Sequence, residues 1–459
     1  MAEQFDDVVL GGGKGGKSLA MALANAGHRV ALIERGQIGG TCINVACIPT
    51  KTMVASAKLV ELASRAAEFG VTLTPPPAEL SGVIERKRRV VGGMVETHRT
   101  LFTTTPNMDF LLGDGVFTGQ RTITVSMADG STREIRGERV YINTGSHTTV
   151  PPIPGLDTVA YLTSTSVMEL DELPSRLAII GAGYIALEFA QVFRRLGSEV
   201  VLIARGDRFL PNEDRDIADA IRTVLEEDGI EFLDNVETDS VRPDSTGIEV
   251  TYSTDGQQHS LRCSHLMVAV GRTPSSAGLG LEAAGVQVDK RGAITVDEHL
   301  QTTAENVYAV GDCNGGPLFT HVSWDDYRIL LANVLHDAGR STAGRLVPYT
   351  LFIDPELGRV GLTEEQARAQ GFDVAVTSLP AAKIPRANTA GETKGLLKAV
   401  VDRQTGQILG CSLFCHSAGE VMSVVQMAMI GKVPYTAVRD TIFTHPTMAE
   451  SLNLLFAGL

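Results

Sequence analysis

Two cysteines five positions apart are the residues best suited to chemistry in this sequence. Cys42 and Cys47 lie in residues 39–51, which read GGTCINVACIPTK. In a regular helix, five residues advance by about 7.5 Å and turn the side chains apart, so the two sulfurs could not meet. A pair therefore requires the chain to bend around Cys42, with a regular helix beginning near Pro49. Cys47 would then lie near a helix N-terminus, where the dipole favours a reactive thiolate.

Two other interpretations of this pair are a metal site and inert buried thiols. A tetrahedral zinc site needs four ligands at short spacings, and no further histidine or cysteine lies nearby in sequence. The setting favours a redox pair, and we predict no metal site. Cys263 and Cys313 are predicted to be core thiols at the ends of strands. Cys411 and Cys415, with His416, could bind copper or zinc, but packing explains them better.

The elements before the cysteines follow a dinucleotide-binding pattern. A short apolar strand leads into Gly11-x-Gly13-x-x-Gly16, and a helix (18–26) and a second strand ending at Glu34 follow. The first glycine permits a tight turn and the second lets the backbone approach a pyrophosphate. The third lets helix and strand pack closely.

The same unit occurs a second time. Residues 177–180 lead into Gly181-x-Gly183-x-x-Ala186, followed by a helix and a strand that end near residue 203. One such motif alone is weak, but two in full strand–turn–helix–strand context are strong. The chain is therefore predicted to bind two dinucleotides.

Each copy continues in the same way. A strand–turn–strand signal follows at Asp129-Gly130 and at Asp255-Gly256, and each copy closes with an apolar strand that runs into a glycine, at 141–145 and 267–271. The predicted fold class is α/β, with two Rossmann-like three-layer dinucleotide-binding domains and a C-terminal α+β domain.

The two copies differ at the position that would contact the ribose of the nucleotide. Glu34 follows Gly11 by 23 residues and could accept hydrogen bonds from ribose hydroxyls. The equivalent position in the second copy is Ala204, with Arg205 and Arg208 close behind. Guanidinium groups suit a 2′-phosphate, so the second site is predicted to prefer NADPH, with NADH as the alternative; the other interpretation is solvated loop charges.

Composition excludes several functions. Forty basic and fifty-four acidic residues give a net charge of −14, which argues against nucleic-acid binding. The densest basic cluster, Arg86–Arg89, is a single helical turn. The longest apolar stretch, 177–193, contains Glu188 and glycines, so no membrane association is predicted. The acidic first residues lack the features of a secretory signal, and the cysteine use fits a reducing compartment, so a cytoplasmic location is expected.

The segment GGTCINVACIPTK resembles the active-site signature of class I pyridine nucleotide–disulfide oxidoreductases, which include glutathione reductase, dihydrolipoamide dehydrogenase and mercuric reductase. The resemblance extends over essentially the whole chain. It includes the stretch from Thr303 to Asp312, similar to the family's second FAD segment, and residues 443–450 (FTHPTMAE), similar to its His-Pro…Glu base motif.

This resemblance assigns roles to individual residues. Cys42 would face the substrate and Cys47 the flavin, His445 with Glu450 would act as the acid–base pair, and Lys51 and Glu188 would form an ion pair near the flavin N5. Tyr184 would cover the flavin until the nicotinamide arrives. The predicted FAD ligands are Gly11, Gly13, Gly16, Glu34 and Asp312, and the predicted NADPH ligands are Gly181, Gly183, Tyr184, Arg205 and Arg208. Further residues are predicted to contact a cofactor: Gly40, Thr41, Lys51, Thr144, Gly145, Ile185, Gly271, Arg272 and Gly311.

Within the family, the chain resembles most the reactive-chlorine-resistance flavoproteins, regarded as hypothiocyanous acid reductases. The shared features are Gly13–Lys17, Phe319-Thr320 with 325–328, 210–219, 383–387 and 451–453. A mercuric reductase of the usual type ends in a cysteine pair, whereas this sequence ends in LFAGL. A metal-ion reductase and a reductase of glutathione or lipoamide disulfides stay alternatives, as does a redox-sensing flavoprotein.

The domain boundaries follow from these motifs. We predict an FAD-binding domain over 1–148 and 275–345, an NAD(P)-binding domain over 149–274, and a C-terminal domain over 346–459. The last contains strands near 394–401 and 407–414 and a helix near 418–431. In the family this domain forms a homodimer interface and lends His445 to the partner's active site. The expected partners are therefore a second copy and a small-molecule oxidant.

Overall fold

The computed structural model describes residues 1–74, 79–245 and 247–459. The chain divides into two compact units. The first contains residues 1–50, 85–149 and 271–345, and the second contains residues 51–84, 150–270 and 346–459.

The first unit is built on a mixed sheet. Parallel strands Glu3–Leu10, Val30–Glu34 and the start of Met108–Gly119 lie side by side, and Thr132–Ile142 and Val307–Ala309 extend the sheet beyond the first strand. Thr122–Met127 joins Met108–Gly119 and Thr132–Ile142 through antiparallel pairing. Strand Ser146–Thr148 pairs separately with Arg272–Pro274.

Helices and buried apolar side chains cover this sheet. The helices are Lys14–Asn25, Thr41–Asn44, Leu281–Ala284 and Thr320–His336, with a 3-10 turn at Gly311–Asn314. Strand residues such as Val9 and Leu32 pack with Leu19 and Leu23 of the first helix. Near-continuous apolar strands are typical of a sheet buried on both faces. Helices Cys47–Ser64 and Leu80–Thr104 contain boundaries between the two units.

The second unit contains a parallel sheet ordered His265–Val268, Arg176–Ile180, Glu199–Ile203, Ile230–Leu233. Helices Tyr184–Leu196 and Arg215–Glu227 pack on it through residues such as Leu187 and Ile221. An antiparallel sheet of Glu237–Asp244, Gly247–Thr254 and Gln257–Cys263 follows. The unit also holds 3-10 turns at Ala66–Phe69, Leu156–Thr158, Ser166–Glu169 and Ala381–Lys383.

The C-terminal part of the second unit is an antiparallel sheet with helices. The strand order is Tyr349–Leu351, Glu356–Gly361, Ile408–Cys415, Leu396–Asp402, Val374–Pro380. The helices are Glu364–Ala369, Pro385–Ala390, Ala418–Ile430, Tyr435–Asp440 and Ser451–Phe456. Helix Ala418–Ile430 packs on the sheet through Val421, Met422 and Val425.

The predicted α/β class with a C-terminal α+β domain is confirmed, as are the two strand–turn–strand units at Asp129-Gly130 and Asp255-Gly256. The helices after both glycine turns begin earlier than predicted, at Lys14 and Tyr184. Cys263 ends a strand as expected, whereas Cys313 lies in the 3-10 turn beyond strand Val307–Ala309. The predicted three-domain boundaries stay a prediction.

Candidate active site

The chain bends between the two cysteines. Helix Thr41–Asn44 ends at Val45, and helix Cys47–Ser64 begins two residues later with Cys47 as its first residue. The Asn44 side-chain amide donates to the carbonyls of Ile38 and Gly40, at 3.0 and 2.9 Å. These bonds hold the loop before Cys42, and the bend allows the sulfurs to approach each other.

The structure brings the two thiols into hydrogen-bonding contact, and neither is in a disulfide. Cys47 Sγ also lies 3.2 Å from Thr320 Oγ1. The hydrogen bond with Cys47 and the burial of its sulfur raise the pKa of Cys42 well above the usual thiol range, while Thr320 and Lys17 act in the opposite direction. Adjacent thiols do not readily lose both protons, so the first negative charge belongs to the pair.

Two cations, the buried Lys17 and the half-buried Arg272, belong to the same unit as the thiols. Lys17 is 3% exposed, and its ammonium donates to the Gly39 carbonyl at 3.1 Å. Arg272 donates from Nε to Ser146 Oγ at 2.8 Å. Burial lowers the pKa of Arg272, and the negative charges of Asp312 and Cys47 raise it. Arg272 is therefore placed to stabilise negative charge at Cys47.

The first glycine turn has the geometry of a nucleotide site. Gly11 has φ +111°, and a Cβ there would lie 2.2 Å from the Asn143 carbonyl oxygen. Glu34 ends its strand and accepts hydrogen bonds from the backbone of Gly12 at 2.9 Å and of Gly36 at 2.8 Å. The turn thus brings a carboxylate to the position where the motif predicts a ribose.

Gly13 is the N-cap of helix Lys14–Asn25, and the helix has no capping side chain and no acidic residue in its first turn. Its first amide groups are therefore suited to a phosphate. Gly16, inside the helix, accommodates the Gly11 carbonyl, which a Cβ would approach to 2.3 Å.

An unsatisfied buried hydroxyl supports the same site. Thr144 Oγ1 is buried and has no hydrogen-bond partner among the described residues. Ser146 Oγ donates to Asp312 at 2.5 Å. Gly145 and Gly311 both have positive φ, and Gly40 caps the short helix that begins at Thr41. An orphaned buried hydroxyl with a carboxylate close by in the same unit fits a polyhydroxylated group such as the ribityl chain of a flavin.

The second glycine turn repeats this geometry. Gly181 has φ +117°, and a Cβ there would lie 2.4 Å from the Ala269 carbonyl oxygen. Gly183 caps helix Tyr184–Leu196, again with no capping side chain, and a Cβ on Gly183 would meet no described atom within 4 Å. Ile185 lies in the first helical turn, and Gly271, with φ +135°, follows the closing strand. This turn therefore fits a second dinucleotide.

The two arginines after this turn differ in their contacts. The Arg205 side chain is 86% exposed and lies 3.6 Å from Glu237, at a surface pocket also lined by Asn235 and Asp255. Arg208 donates to Glu365 at 3.2 Å and to the Glu213 carbonyl at 3.3 Å. Arg205 is thus the more available guanidinium for a phosphate.

The sequence did not predict that Glu213 binds several side chains in the protein interior. This carboxylate is 1% exposed. It accepts hydrogen bonds from Tyr184, from Tyr349 at 2.6 Å and from Arg359 at 3.0 Å. Burial and the adjacent Glu213 charge raise the pKa of both tyrosines, so both stay protonated donors. Glu213 lies in the stretch 210–219, which the sequence analysis singled out. Its hydrogen-bond partners Tyr349 and Arg359 are remote in sequence, so the contacts could not be predicted.

We expect Arg359→Met to lower the free energy of unfolding by about 3 kcal/mol or more, because it leaves the buried Glu213 carboxylate without its cation. Urea denaturation of the holoenzyme measures this loss. The control is Arg176→Met, which removes a surface pair with Glu231 and should cost less than about 1 kcal/mol. Equal losses of unfolding free energy in the two variants would contradict the conclusion that Arg359 compensates the buried Glu213 charge.

Two further predicted pairs are formed within the second unit. Lys51 Nζ lies 2.5 Å from Glu188 Oε2, and the other Glu188 oxygen accepts from the Phe352 amide at 2.9 Å. His445 Nδ1 lies 2.8 Å from Glu450 Oε2, and the His445 side chain is 70% exposed. Glu450 therefore orients an imidazole whose other nitrogen is accessible.

The sequence profile of the pyridine nucleotide-disulphide oxidoreductase family matches residues 5–326, and the profile of the family's dimerisation domain matches residues 347–455. The chain belongs to this family of oxidoreductases, whose members use a flavin and a pyridine nucleotide. The resemblance seen in the sequence is thereby confirmed.

Individual relatives show which members of the family the chain resembles. The chain is 43% identical over 458 residues to the probable pyridine nucleotide-disulfide oxidoreductase RclA of Escherichia coli, covering 99% of both chains. It is 35% identical to the mercuric reductase of Staphylococcus aureus, covering 98% of this chain and 81% of that one. A solved structure described as the Cu(II) complex of HOCl-induced flavoprotein disulfide reductase RclA from Escherichia coli superposes with a TM-score of 0.91, at 42% identity, over 100% of this chain and 99% of that chain. The chain is therefore a flavoprotein disulfide reductase of the RclA type.

Among the described residues, none of the helices combines the length and the hydropathy that a membrane span requires. The same residues contain no group of three or more His, Cys, Asp or Glu side chains that could hold a metal ion. Cys411 and Cys415 are buried, and burial raises the pKa of Cys415 to about 12.

Proposed function

We propose that the protein uses NADPH and FAD to reduce hypothiocyanous acid, or a related reactive oxidant, through Cys42 and Cys47. The observation that carries the proposal is the contact between the two thiols at a helix N-terminus, beside Thr320. The similarity to an HOCl-induced reductase supports an oxidant rather than a peptide disulfide as substrate. We place the enzyme in the cytoplasm, as a homodimer formed through residues 347–455.

The first glycine turn, with Glu34 and Asp312, would hold FAD. The second glycine turn, with Arg205, would hold NADPH. FAD supplies the two-electron link between NADPH and the cysteine pair when it is bound. The Lys51–Glu188 ion pair would lie near the flavin N5. Tyr184 would cover the flavin until the nicotinamide arrives.

The cysteines perform the chemistry on the oxidant. The Cys42 thiolate attacks the sulfur of hypothiocyanous acid, which forms an S–S bond to the thiocyanate group and releases hydroxide that is protonated to water. Cys47 then attacks the Cys42 sulfur, which forms the disulfide and expels thiocyanate. Two electrons from NADPH restore both thiols. The sum is NADPH plus hypothiocyanous acid giving NADP⁺, thiocyanate and water.

His445 would protonate the departing group, because Glu450 orients its ring and leaves its other nitrogen accessible. In a homodimer, the exposed ring would serve the partner's active site. A small oxidant needs little general acid catalysis, so His445 should contribute less to turnover than the two cysteines do.

The proposal is tested by comparing NADPH oxidation by the holoenzyme with hypothiocyanous acid, glutathione disulfide, lipoamide and mercuric ion. We expect sustained turnover with hypothiocyanous acid and much slower turnover with the other three. Preferred turnover of a disulfide would refute the assigned substrate. Oxidation of one NADPH per enzyme without cycling would indicate a redox sensor instead.

A metal-ion reductase is the second candidate. The mercuric reductases among the relatives and the copper complex of RclA favour it. Two adjacent thiols can bind a thiophilic ion. Sustained NADPH oxidation with mercuric or cupric ion, faster than with hypothiocyanous acid, would support this candidate.

We expect Arg205→Ala to raise KM for NADPH by about tenfold or more and to leave KM for NADH nearly unchanged. The reason is that a guanidinium–phosphate hydrogen bond contributes about 1.5–3 kcal/mol. Initial rates at varied NADPH and NADH measure the effect.

Arg208→Ala is the matched control, because its guanidinium already contacts Glu365. It should raise KM for NADPH less than Arg205→Ala does. An equal rise in KM for both nucleotides in the Arg205 variant would disprove phosphate recognition by that residue.

A further inference from the structure

Asp326 is a buried carboxylate that the proposed mechanism does not use. Its Oδ1 accepts a hydrogen bond from Arg345 Nη1 at 2.6 Å. Its Oδ2 accepts one from the backbone amide of Gly311 at 2.9 Å and another from the side-chain amide of Asn314 at 3.4 Å. Both oxygens are thus engaged, and Arg345 supplies the positive charge that a buried carboxylate needs.

The two amides that contact this carboxylate belong to the two ends of one turn. Gly311 is the first residue and Asn314 the last residue of a 3-10 turn. Gly311 also lies close to the helix that contains Asp326, because a Cβ on Gly311 would be 2.5 Å from Ser323 Oγ. The carboxylate therefore fixes both ends of the turn to helix Thr320–His336.

The same turn contains Asp312, the carboxylate that would hold FAD. Asp312 directly follows Gly311, and its Oδ2 accepts a hydrogen bond from Ser146 Oγ at 2.5 Å. Ser146 Oγ in turn accepts one from Arg272 Nε at 2.8 Å. The side chain of Asp312 is thus held by Ser146, whereas its backbone is held through the Gly311 amide and Asp326.

We propose that Asp326 is a positioning residue for the flavin: it fixes the turn Gly311–Asn314 and so holds Asp312 in place to bind the ribityl chain of FAD. This inference deepens the proposed function, because it rests on Asp312 as an FAD ligand. Burial raises the pKa of Asp326, and the hydrogen bonds from Arg345 and Gly311 oppose this rise. An ionised Asp326 is the stronger acceptor for the Gly311 amide.

The test measures FAD release from the purified holoenzyme, as the rise in fluorescence of free FAD after dilution. Asp326→Asn keeps the size of the side chain but has one acceptor oxygen, whereas Gly311 and Arg345 contact different oxygens of Asp326. One of these two contacts is therefore lost. We expect FAD release to be about tenfold faster, as for the loss of a hydrogen bond to a charged group.

Asp325→Asn is the matched control, since it makes the same change one residue earlier in the same helix. Asp325 lies 3.7 Å from Arg345 and 3.7 Å from Arg328, so its FAD release should stay within about twofold of the unmodified rate. Equal rates in the two variants would overturn the proposal. If Asp326→Asn does not fold, the double variant Asp326→Asn/Arg345→Gln, which also removes the unpaired positive charge, replaces it.

A double-mutant cycle with Asp312→Ala shows whether Asp326 acts through Asp312. Asp312→Ala alone should speed FAD release by about tenfold or more, and adding Asp326→Asn should change that rate by less than about twofold. Effects that multiply in the double variant would indicate a purely structural role and overturn the proposal, with FAD binding by Asp312 intact. Unchanged release from Asp312→Ala would instead refute Asp312 as an FAD ligand, and the proposal with it.

Discussion

Replacing Cys42 by serine is expected to lower kcat with hypothiocyanous acid by about 10³-fold or more. Serine cannot form a disulfide with Cys47, and its hydroxyl is a far weaker nucleophile than a thiolate. The Cys42→Ser protein should still bind FAD and accept electrons from NADPH. Stopped-flow spectra of flavin reduction, together with steady-state rates, separate the two half-reactions.

Cys263→Ala provides the control for loss of a thiol. Cys263 is buried at a strand end and its sulfur lies 3.6 Å from the Ile248 carbonyl, so its removal should leave kcat within about twofold. Near-normal turnover by Cys42→Ser would mean that the oxidant reacts elsewhere, and the proposed mechanism would be abandoned.

The second large effect is expected at the second glycine turn. Substitution of Gly181 should lower stability, whereas substitution of Gly183 should weaken nucleotide binding. Gly181→Ala introduces a Cβ 2.4 Å from the Ala269 carbonyl oxygen, at a φ of +117°. This strain should lower the free energy of unfolding by about 3 kcal/mol or more. A calorimetric or urea-unfolding comparison with the unmodified protein measures the loss.

Gly183→Ala is the matched substitution. Its Cβ meets no described atom within 4 Å, so the midpoint of thermal unfolding should change by less than about 2 °C. The methyl group would occupy the space reserved for a pyrophosphate, and KM for NADPH should rise by about tenfold or more. A normal KM in this variant would show that the nucleotide phosphates bind away from the turn.

The sequence predicts the fold well because its signals are local. A strand, a glycine turn and a helix are encoded within about thirty consecutive residues, and Gly11 and Gly181 require the same backbone geometry. The bend at Cys42 could be predicted for the same reason, since helical geometry alone excludes contact of two cysteines five residues apart.

Contacts between distant segments could not be predicted. Glu213 is in a recognisable sequence stretch, but Tyr349 and Arg359 meet it only through the folded sheet. Arg205 and Arg208 could not be distinguished in the sequence. Only the structure shows that Arg208 donates to Glu365, which lies 157 residues further along the chain. The burial of Lys17 is equally invisible, because a lysine in a polar glycine turn is usually solvated.

The redox exchange between NADPH and the cysteine pair is the central claim, and thiol trapping tests it most directly. The oxidised holoenzyme is treated with an alkylating reagent with and without prior anaerobic reduction by NADPH, and the labelled cysteines are located by mass spectrometry. We predict that Cys42 and Cys47 become labelled only after NADPH, while the buried cysteines stay unlabelled. Reduction of the flavin without the appearance of these two thiols would contradict the account.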